Sequence, residues 1–200
     1  MALLVATANA GKLREFRDLL AGIEVTSPAA LGLSLRVEET GASFEANARL
    51  KAAAFAAAAG AVTLADDSGL EVDRLGGAPG VHSARYGGEG LDDAGRCRLL
   101  LQALAGWPDP AERTARFRCV LVAAAPDGRC CQAEGVCEGR IAAAPRGEGG
   151  FGYDPLFHLP DHGCTMAELA PGEKSRISHR GQALRALRPR LLATFPELRR

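Results

Sequence analysis

Two adjacent aspartates, Asp66 and Asp67, arrive with Ser68 at the end of the apolar run 61–65, Ala-Val-Thr-Leu-Ala. Bounded by Gly60 and Gly69, the run reads as a buried strand. Neighbouring strand residues face opposite ways, so one carboxylate can accept local backbone N–H groups while the other reaches into a cleft. Carboxylates at a strand end suit a hard cation, above all Mg²⁺ held together with substrate phosphates. Asp-Asp-Ser-Gly is also good turn chemistry, and taken alone the four residues favour the turn.

Three further stretches carry groups that bind anions or flat rings. Thr7-Ala8-Asn9-Ala10-Gly11-Lys12 joins an apolar strand over 3–6 to a helix over 13–20 ended by Gly22. Free N–H groups and the helix dipole at such a junction favour phosphate, and Lys12 adds a mobile positive charge. The turn is not a Walker A loop, because the first glycine is missing and Leu13 stands where Ser or Thr would hold Mg²⁺. Asn9 equally suits a helix cap, and Lys12 a solvated position. In 147–155, Gly-Glu-Gly-Gly-Phe-Gly-Tyr-Asp-Pro, glycines let backbone approach a ligand closely. Phe151 and Tyr153 could stack there on a flat ring or plug the core. The run 173–181, with Lys174, Ser175, Arg176, Ser178, His179 and Arg180, precedes a helix that reaches Leu192 and is kinked or restarted at Pro189. It is a second candidate for phosphate or a base edge, or else a solvated basic connection.

The elements that position these groups mix strands and helices. Leu13, Phe16, Leu19 and Leu20 fall on one helix face, as a core-facing helix requires. Residues 23–26 suit a short strand. Ser43 offers an N-cap to a helix over 44–59 that Gly60 closes, and its many alanines permit close packing on a sheet. Asn47 and Lys51 lie four apart and share a face; the lysine either snorkels or is directed at an anion. The glycines and proline of 76–80 make a tight turn, and a helix covers 92–105. Strands over 115–122 and 130–136 form a hairpin about Pro126-Asp127-Gly128, with 135–144 extending the ribbon. The chain contains no internal repeat and no linker long enough to divide it.

Two hundred residues, 47% hydrophobic and 24% charged, suit one soluble globular domain with a substantial core. A formal net charge of zero argues against a surface that coats nucleic acid. The start, MALLVATANAGK, lacks a basic n-region and its apolar run is too short for a signal peptide. No apolar stretch approaches the roughly 18 residues needed to cross a bilayer, so the expected location is cytoplasmic, away from membranes. The six cysteines include no C-x-x-C pair, and Cys130-Cys131 are adjacent, poor geometry for joint zinc ligation. They read as structural thiols in a reducing compartment.

Taken together the stretches are not generic. The chain carries T-x-N-x-x-K at 7–12 and E-T-G-x-S-F-x-x-N-A-x-x-K-A at 39–52. It continues with A-D-D-S-G-L-x-V-D-x-L-G-G-A-P-G-x-x-S-A-R-Y at 65–86, G-G-F-G-Y-D-P-x-F at 149–157 and E-K-x-x-I-S-H-R-G-Q-A-L at 173–184. In order and spacing, over nearly its whole length, it closely resembles the inosine triphosphate pyrophosphatase family. The resemblance implies Mg²⁺-dependent hydrolysis of ITP, dITP or XTP to the nucleoside monophosphate and pyrophosphate. It also implies an α/β fold, an elongated two-lobed molecule with a long mixed sheet flanked by helices, a cleft between the lobes, and a homodimer.

By that resemblance, Thr7, Ala8, Asn9, Ala10, Gly11 and Lys12 hold the triphosphate. Asp67 binds Mg²⁺ and orients or deprotonates the attacking water, and Ser68 contacts substrate. Phe151, Gly152, Tyr153 and Asp154 stack on and flank the purine, Lys174 contacts the substrate, and His179 and Arg180 read the 6-oxo edge. Such chemistry needs charge neutralisation, a positioned water and a metal clamp more than covalent catalysis. One position departs from the pattern. The family carries a metal-binding glutamate directly before the asparagine of the N-A-x-x-K segment, where this chain has Ala46, with Glu45 one place earlier. One residue along a helix is a rotation of about 100°, so Glu45 cannot substitute. A more hydrated metal or another carboxylate, Asp66 being nearest in sequence, is left to complete the shell. The rivals are a Maf-type nucleotide pyrophosphatase, which the F-G-Y-D and S-H-R-G segments oppose, and a nucleotide-binding module without turnover.

Overall fold

The structure, a computed structural model, describes residues 1–88 and 90–199. In chain order its strands and α-helices are β1 Leu3–Val5, α1 Ala10–Leu19, β2 Val25–Thr26, α2 Phe44–Ala59, β3 Thr63–Val72 and α3 Asp93–Ala103. They continue with β4 Thr114–Ala124, β5 Cys130–Ile141, β6 Phe157–Leu159, β7 Cys164–Thr165, α4 Pro171–Ile177 and α5 His179–Thr194. The fold is α/β, with a seven-stranded sheet in the order β2-β1-β3-β4-β5-β6-β7. The sheet is mixed: β1 pairs parallel with β2 and β3, whereas β6 pairs antiparallel with β5 and β7.

Two compact units share the chain, and β3, β4 and β5 each contribute to both. The first comprises Met1–Asp67, Cys119–Gly135 and His179–Arg200. Its core gathers Leu3, Val5, Phe16, Leu20, Leu64, Leu121, Leu184, Leu187, Leu191 and Phe195, drawn from β1, α1, β3, β4, α5 and the segment after it. The second comprises Ser68–Arg118 and Val136–Ser178, with a core of Leu70, Val72, Leu100, Phe117, Ile141, Tyr153, Leu156, Phe157 and Met166 among others.

The α2 helix forms over the expected residues, with the Ser43 side chain accepting from the Ala46 N–H and Gly60 closing it at φ +62°. Phe44, Ala48, Ala52, Phe55 and Ala56 are its buried apolar positions, a spacing of three and four that fits one helix face. The hairpin also forms, turning between Ala125 and Arg129, which share a backbone hydrogen bond of 3.0 Å. Two readings need correction. Asp66 and Asp67 do not end a strand or occupy a turn: β3 runs on through Ser68 and Gly69 to Val72. A ten-residue strand tolerates two carboxylates in its middle because each finds partners outside the strand, described below. Of the kink or restart expected at Pro189, the restart does not occur: the helix continues through it to Thr194. No helix among the described residues is long and apolar enough to cross a membrane.

Candidate active site

The first group of chemical side chains lies within the first unit. Asn9 caps α1, its Oδ1 accepting the Lys12 N–H at 3.0 Å, while Thr7 Oγ1 accepts the Asn9 N–H at 3.1 Å. The turn 7–12 is thereby held at the open N-terminal end of a ten-residue helix, where unused N–H groups and the dipole attract anions. The Asn9 cap satisfies one N–H of this end, that of Lys12. Lys12 Nζ reaches Asp66 Oδ2 at 2.7 Å.

Asp66 and Asp67 are 3% and 6% exposed and take different partners, as adjacent strand positions should. Asp66 faces Lys12 and, at 3.6 Å, the Arg180 guanidinium. Burial alone would raise its carboxyl, but Lys12, Arg180 and Lys51 outweigh that and hold it well below the usual carboxylate range. Asp67 accepts the Asn47 amide at 3.0 Å on Oδ2, and Lys51 Nζ stands 3.7 Å from Oδ1. Here burial wins: it pushes the Asp67 carboxyl above its ordinary value, and Lys51 and Asn47 offset the rise only in part. The two neighbours thus part company: cations favour the charged form of Asp66, whereas burial disfavours that of Asp67.

Glu39 is the residue the local reading missed. It accepts Lys51 Nζ at 2.7 Å and adds to the upward push on Asp67, so two carboxylates converge on one ammonium. The loop carrying Glu39 is tied down by Asn47, whose Oδ1 accepts the Gly41 N–H at 2.8 Å while its amide holds Asp67. Gly41 is required here, since a Cβ would stand 2.7 Å from both Asn47 Oδ1 and the Ala46 Cβ. Ala46 stands against this loop, and the Glu39 carboxylate reaches Lys51 from the loop ahead of α2. Glu45 is paired with Arg49 on the exposed face and takes no part. Lys51, left between snorkelling and an anion, is directed at anions: its side chain is 14% exposed and the carboxylates around it hold it protonated against burial.

A cavity of about 480 Å³ opens beside these groups. Thr7, Ala8, Lys12, Lys51, Glu39 and Asp66 line one part of it, and residues of the loop from Pro28 to Val37, including Arg36, line the rest. This volume is ordinary for a small-molecule site. A candidate cation position follows from the donor set. No group of three or more His, Cys, Asp or Glu side chains able to hold a metal exists among the described residues. Asp67 and Glu39 therefore offer at most a partial shell, which fits Mg²⁺, an ion that keeps several waters and is bound by one or two carboxylates plus substrate phosphates. Asp66, adjacent in sequence, meets Lys12 and Arg180 through its Oδ2.

Arg180 belongs to the same unit. It is 1% exposed, its guanidinium bonded to Glu15 and facing Asp66, with the Phe16 ring centroid 5.8 Å away. The guanidinium thus meets two carboxylates. His179, also buried, begins α5 where the helix presses on β5, and a Cβ on Gly135 would lie 2.1 Å from the His179 carbonyl oxygen. Glycine alone permits that approach.

The second group lies within the second unit. Phe151, Gly152, Tyr153 and Asp154 form a turn in which Asp154 Oδ2 accepts the Phe151 N–H at 2.9 Å and Lys174 Nζ at 2.8 Å. Lys174 Nζ also sits 4.8 Å from the Phe151 ring centroid, a cation–π distance. The ring of Phe151 is partly exposed, whereas Tyr153 is a core residue, its hydroxyl donating to the Ser83 carbonyl at 2.9 Å. Of the two aromatics, Tyr153 is the one that plugs the core. Ser68 follows Asp67 in β3 and is partly exposed.

The sequence pattern of the Ham1 family matches residues 3–190. A protein of Geobacillus kaustophilus described as a dITP/XTP pyrophosphatase is 54% identical over 187 residues, covering 92% of this chain and 91% of its own. A Bacillus subtilis protein of the same description is 49% identical, covering 92% and 93%. Among solved structures, the Staphylococcus aureus Ham1 protein superposes with a TM-score of 0.86 at 39% identity, over 96% of this chain and 99% of its own. A Coxiella burnetii HAM1 protein gives the same TM-score at 42% identity, over 96% and 100%. The chain belongs to the Ham1 family.

Proposed function

We propose that this chain hydrolyses non-canonical purine nucleoside triphosphates, ITP, dITP and XTP, to the nucleoside monophosphate and pyrophosphate. The observation that carries the proposal is the convergence of Asp67 and Glu39 on Lys51 beside a cavity walled by Lys12 and the N-terminal turn of α1. The relatives described as dITP/XTP pyrophosphatases, about half identical over nine-tenths of the chain, support it.

In this reading Thr7–Lys12 and Lys51 take the polyphosphate, through N–H groups, the helix dipole and two ammonium charges. Asp67 accepts the proton of the attacking water; a carboxyl raised by burial is the better base near neutral pH. Asp67 and Glu39 would hold Mg²⁺, which neutralises phosphate charge and lowers the pKa of bound water when present. Phe151 is assigned to the base, with Lys174 and Asp154 fixing the ring. Ser68 and Tyr153 then act through the strand and the core that carry them. A homodimer and a cytoplasmic location belong to the same proposal.

A 6-oxo purine presents an acceptor where adenine presents a donor, and a site built around that hydrogen bond discriminates by roughly 10⁴ or more. The Arg180 guanidinium, held by Glu15 and Asp66, is assigned to structure rather than to that bond. Arg180→Ala is then expected to lower thermal stability and to slow ITP and ATP in equal proportion. A loss confined to ITP would return Arg180 to the base edge.

The proposal as a whole is tested by a substrate panel. Pyrophosphate release should be fast for ITP, dITP and XTP, slow for ATP, GTP and pyrimidine triphosphates, and abolished by EDTA. A preference for pyrimidine or modified-base nucleotides would instead assign Maf-type chemistry, and tight binding without turnover would make the chain a nucleotide-binding module.

A further inference from the structure

The turn that presents Phe151 is gripped from an element the resemblance does not implicate. Gly152 N donates to Asp93 Oδ2 at 2.7 Å, and the Cys97 thiol lies 3.5 Å from the Gly152 carbonyl oxygen. Asp93 and Cys97 are four apart in α3, hence on one face and one turn from each other. They therefore take the N–H and the C=O of the same glycine. On the other side of Phe151, its own N–H is bound by Asp154. Both peptide N–H groups that flank the Phe151 Cα thus end on carboxylates, which fixes the backbone from which the ring projects.

Gly152 cannot hold the turn by its own preference. It has no side chain and sits at φ +62°, and Gly150, before Phe151, is at φ +76°. Glycines on both sides lower the resistance of the backbone to other conformations, so rigidity at Phe151 has to come from outside the turn. Asp93 supplies a charge-assisted bond. Cys97, 3% exposed, has its thiol pushed up to about 11 by burial and by the Asp93 and Asp154 carboxylates, so it stays protonated and able to donate.

We infer that Asp93 and Cys97 are positioning residues for base recognition, clamping the Gly152 peptide from α3 so that the Phe151 ring is preorganised for a purine. The inference rests on the assignment of Phe151 to the base. Preorganisation raises affinity by removing the ordering of a loop from the cost of binding. The clamp therefore acts on nucleotide recognition and leaves polyphosphate recognition alone.

The test compares Asp93→Ala, Asp93→Asn, Cys97→Ala and Cys97→Ser with Phe151→Ala. KM and kcat are measured for ITP and ATP, and the inhibition constant for inorganic tripolyphosphate. Asp93→Ala should raise KM for ITP about tenfold, the loss of one hydrogen bond to a charged group, and narrow the lead of ITP over ATP. The tripolyphosphate constant should not move. Asp93→Asn, which keeps an acceptor, should recover most of the loss, and Cys97→Ser should outperform Cys97→Ala. Parallel losses for ITP, ATP and tripolyphosphate in Asp93→Ala would mark a merely structural contact and overturn the inference, as would an unchanged KM while Phe151→Ala is impaired. If Phe151→Ala itself leaves ITP unaffected, the base assignment fails, and the clamp fails with it.

Discussion

Asp67→Asn is expected to reduce hydrolysis by about 10²- to 10⁴-fold, the range for loss of a positioned general base, in a chain at least as stable as the parent. The second half of that result is the diagnostic one. Burial pushes the Asp67 carboxyl above its ordinary value, so in the folded chain its charge is opposed by its surroundings. A raised carboxyl works against folding at neutral pH, because the unfolded chain gives up that proton more readily. A neutral amide of the same shape removes the opposition and can still meet the Asn47 side chain. Thermal unfolding and turnover measured on the same preparation check both halves. A variant that loses stability along with activity would make Asp67 a structural residue, and turnover within a few-fold of the parent would remove it from the base role.

The opposite behaviour is expected at the preceding residue. Asp66→Asn should destabilise the chain by roughly 3 kcal/mol at pH 7, as breaking a buried ion pair does when one partner is removed. Asp66 is the shared anion of Lys12 and Arg180, bringing α1, β3 and α5 to one point. The sign of the pH effect follows from the depressed carboxyl. Its stabilisation is fully present above the unfolded value of about 3.9 and is lost as pH falls through the lower folded value. The gap between parent and variant, followed by chemical denaturation, should be flat from neutral pH down to that region and shrink below it. A gap that grows on acidification would contradict the assignment. Adjacent aspartates would then differ in kind: Asn at one costs activity, Asn at the other costs the fold.

Where chemistry depended on local pattern, the sequence was readable. The cap at Ser43, the alanine-rich α2 and its Gly60 close are local events with local signals, and they form where the spacing puts them. The Asn47–Lys51 spacing likewise carried real information, since both side chains reach Asp67. What escaped depended on partners far away in the chain. Asp66 and Asp67 looked like a strand end because nothing nearby neutralises them; Lys12, 54 residues earlier, does so for Asp66. Glu39 sits in a loop without helix or strand period, and that loop is bonded to α2 through Gly41 and Asn47, near the Glu39–Lys51 contact. Arg180 stands in a basic run that reads as a phosphate or base-edge site or a solvated connection; its burial and its bond to Glu15, 165 positions away, are not visible in that run. Tyr153 was undecidable between ligand and core until the Ser83 carbonyl claimed its hydroxyl.

The central claim is the bond that is cut, and product identity tests it most directly. Purified protein, ITP and Mg²⁺ should yield IMP and pyrophosphate in equal amounts, with no IDP at any time and no orthophosphate before added pyrophosphatase. Appearance of IDP with orthophosphate would place cleavage at the terminal phosphate and contradict the account, as would an ITP complex that forms and never turns over.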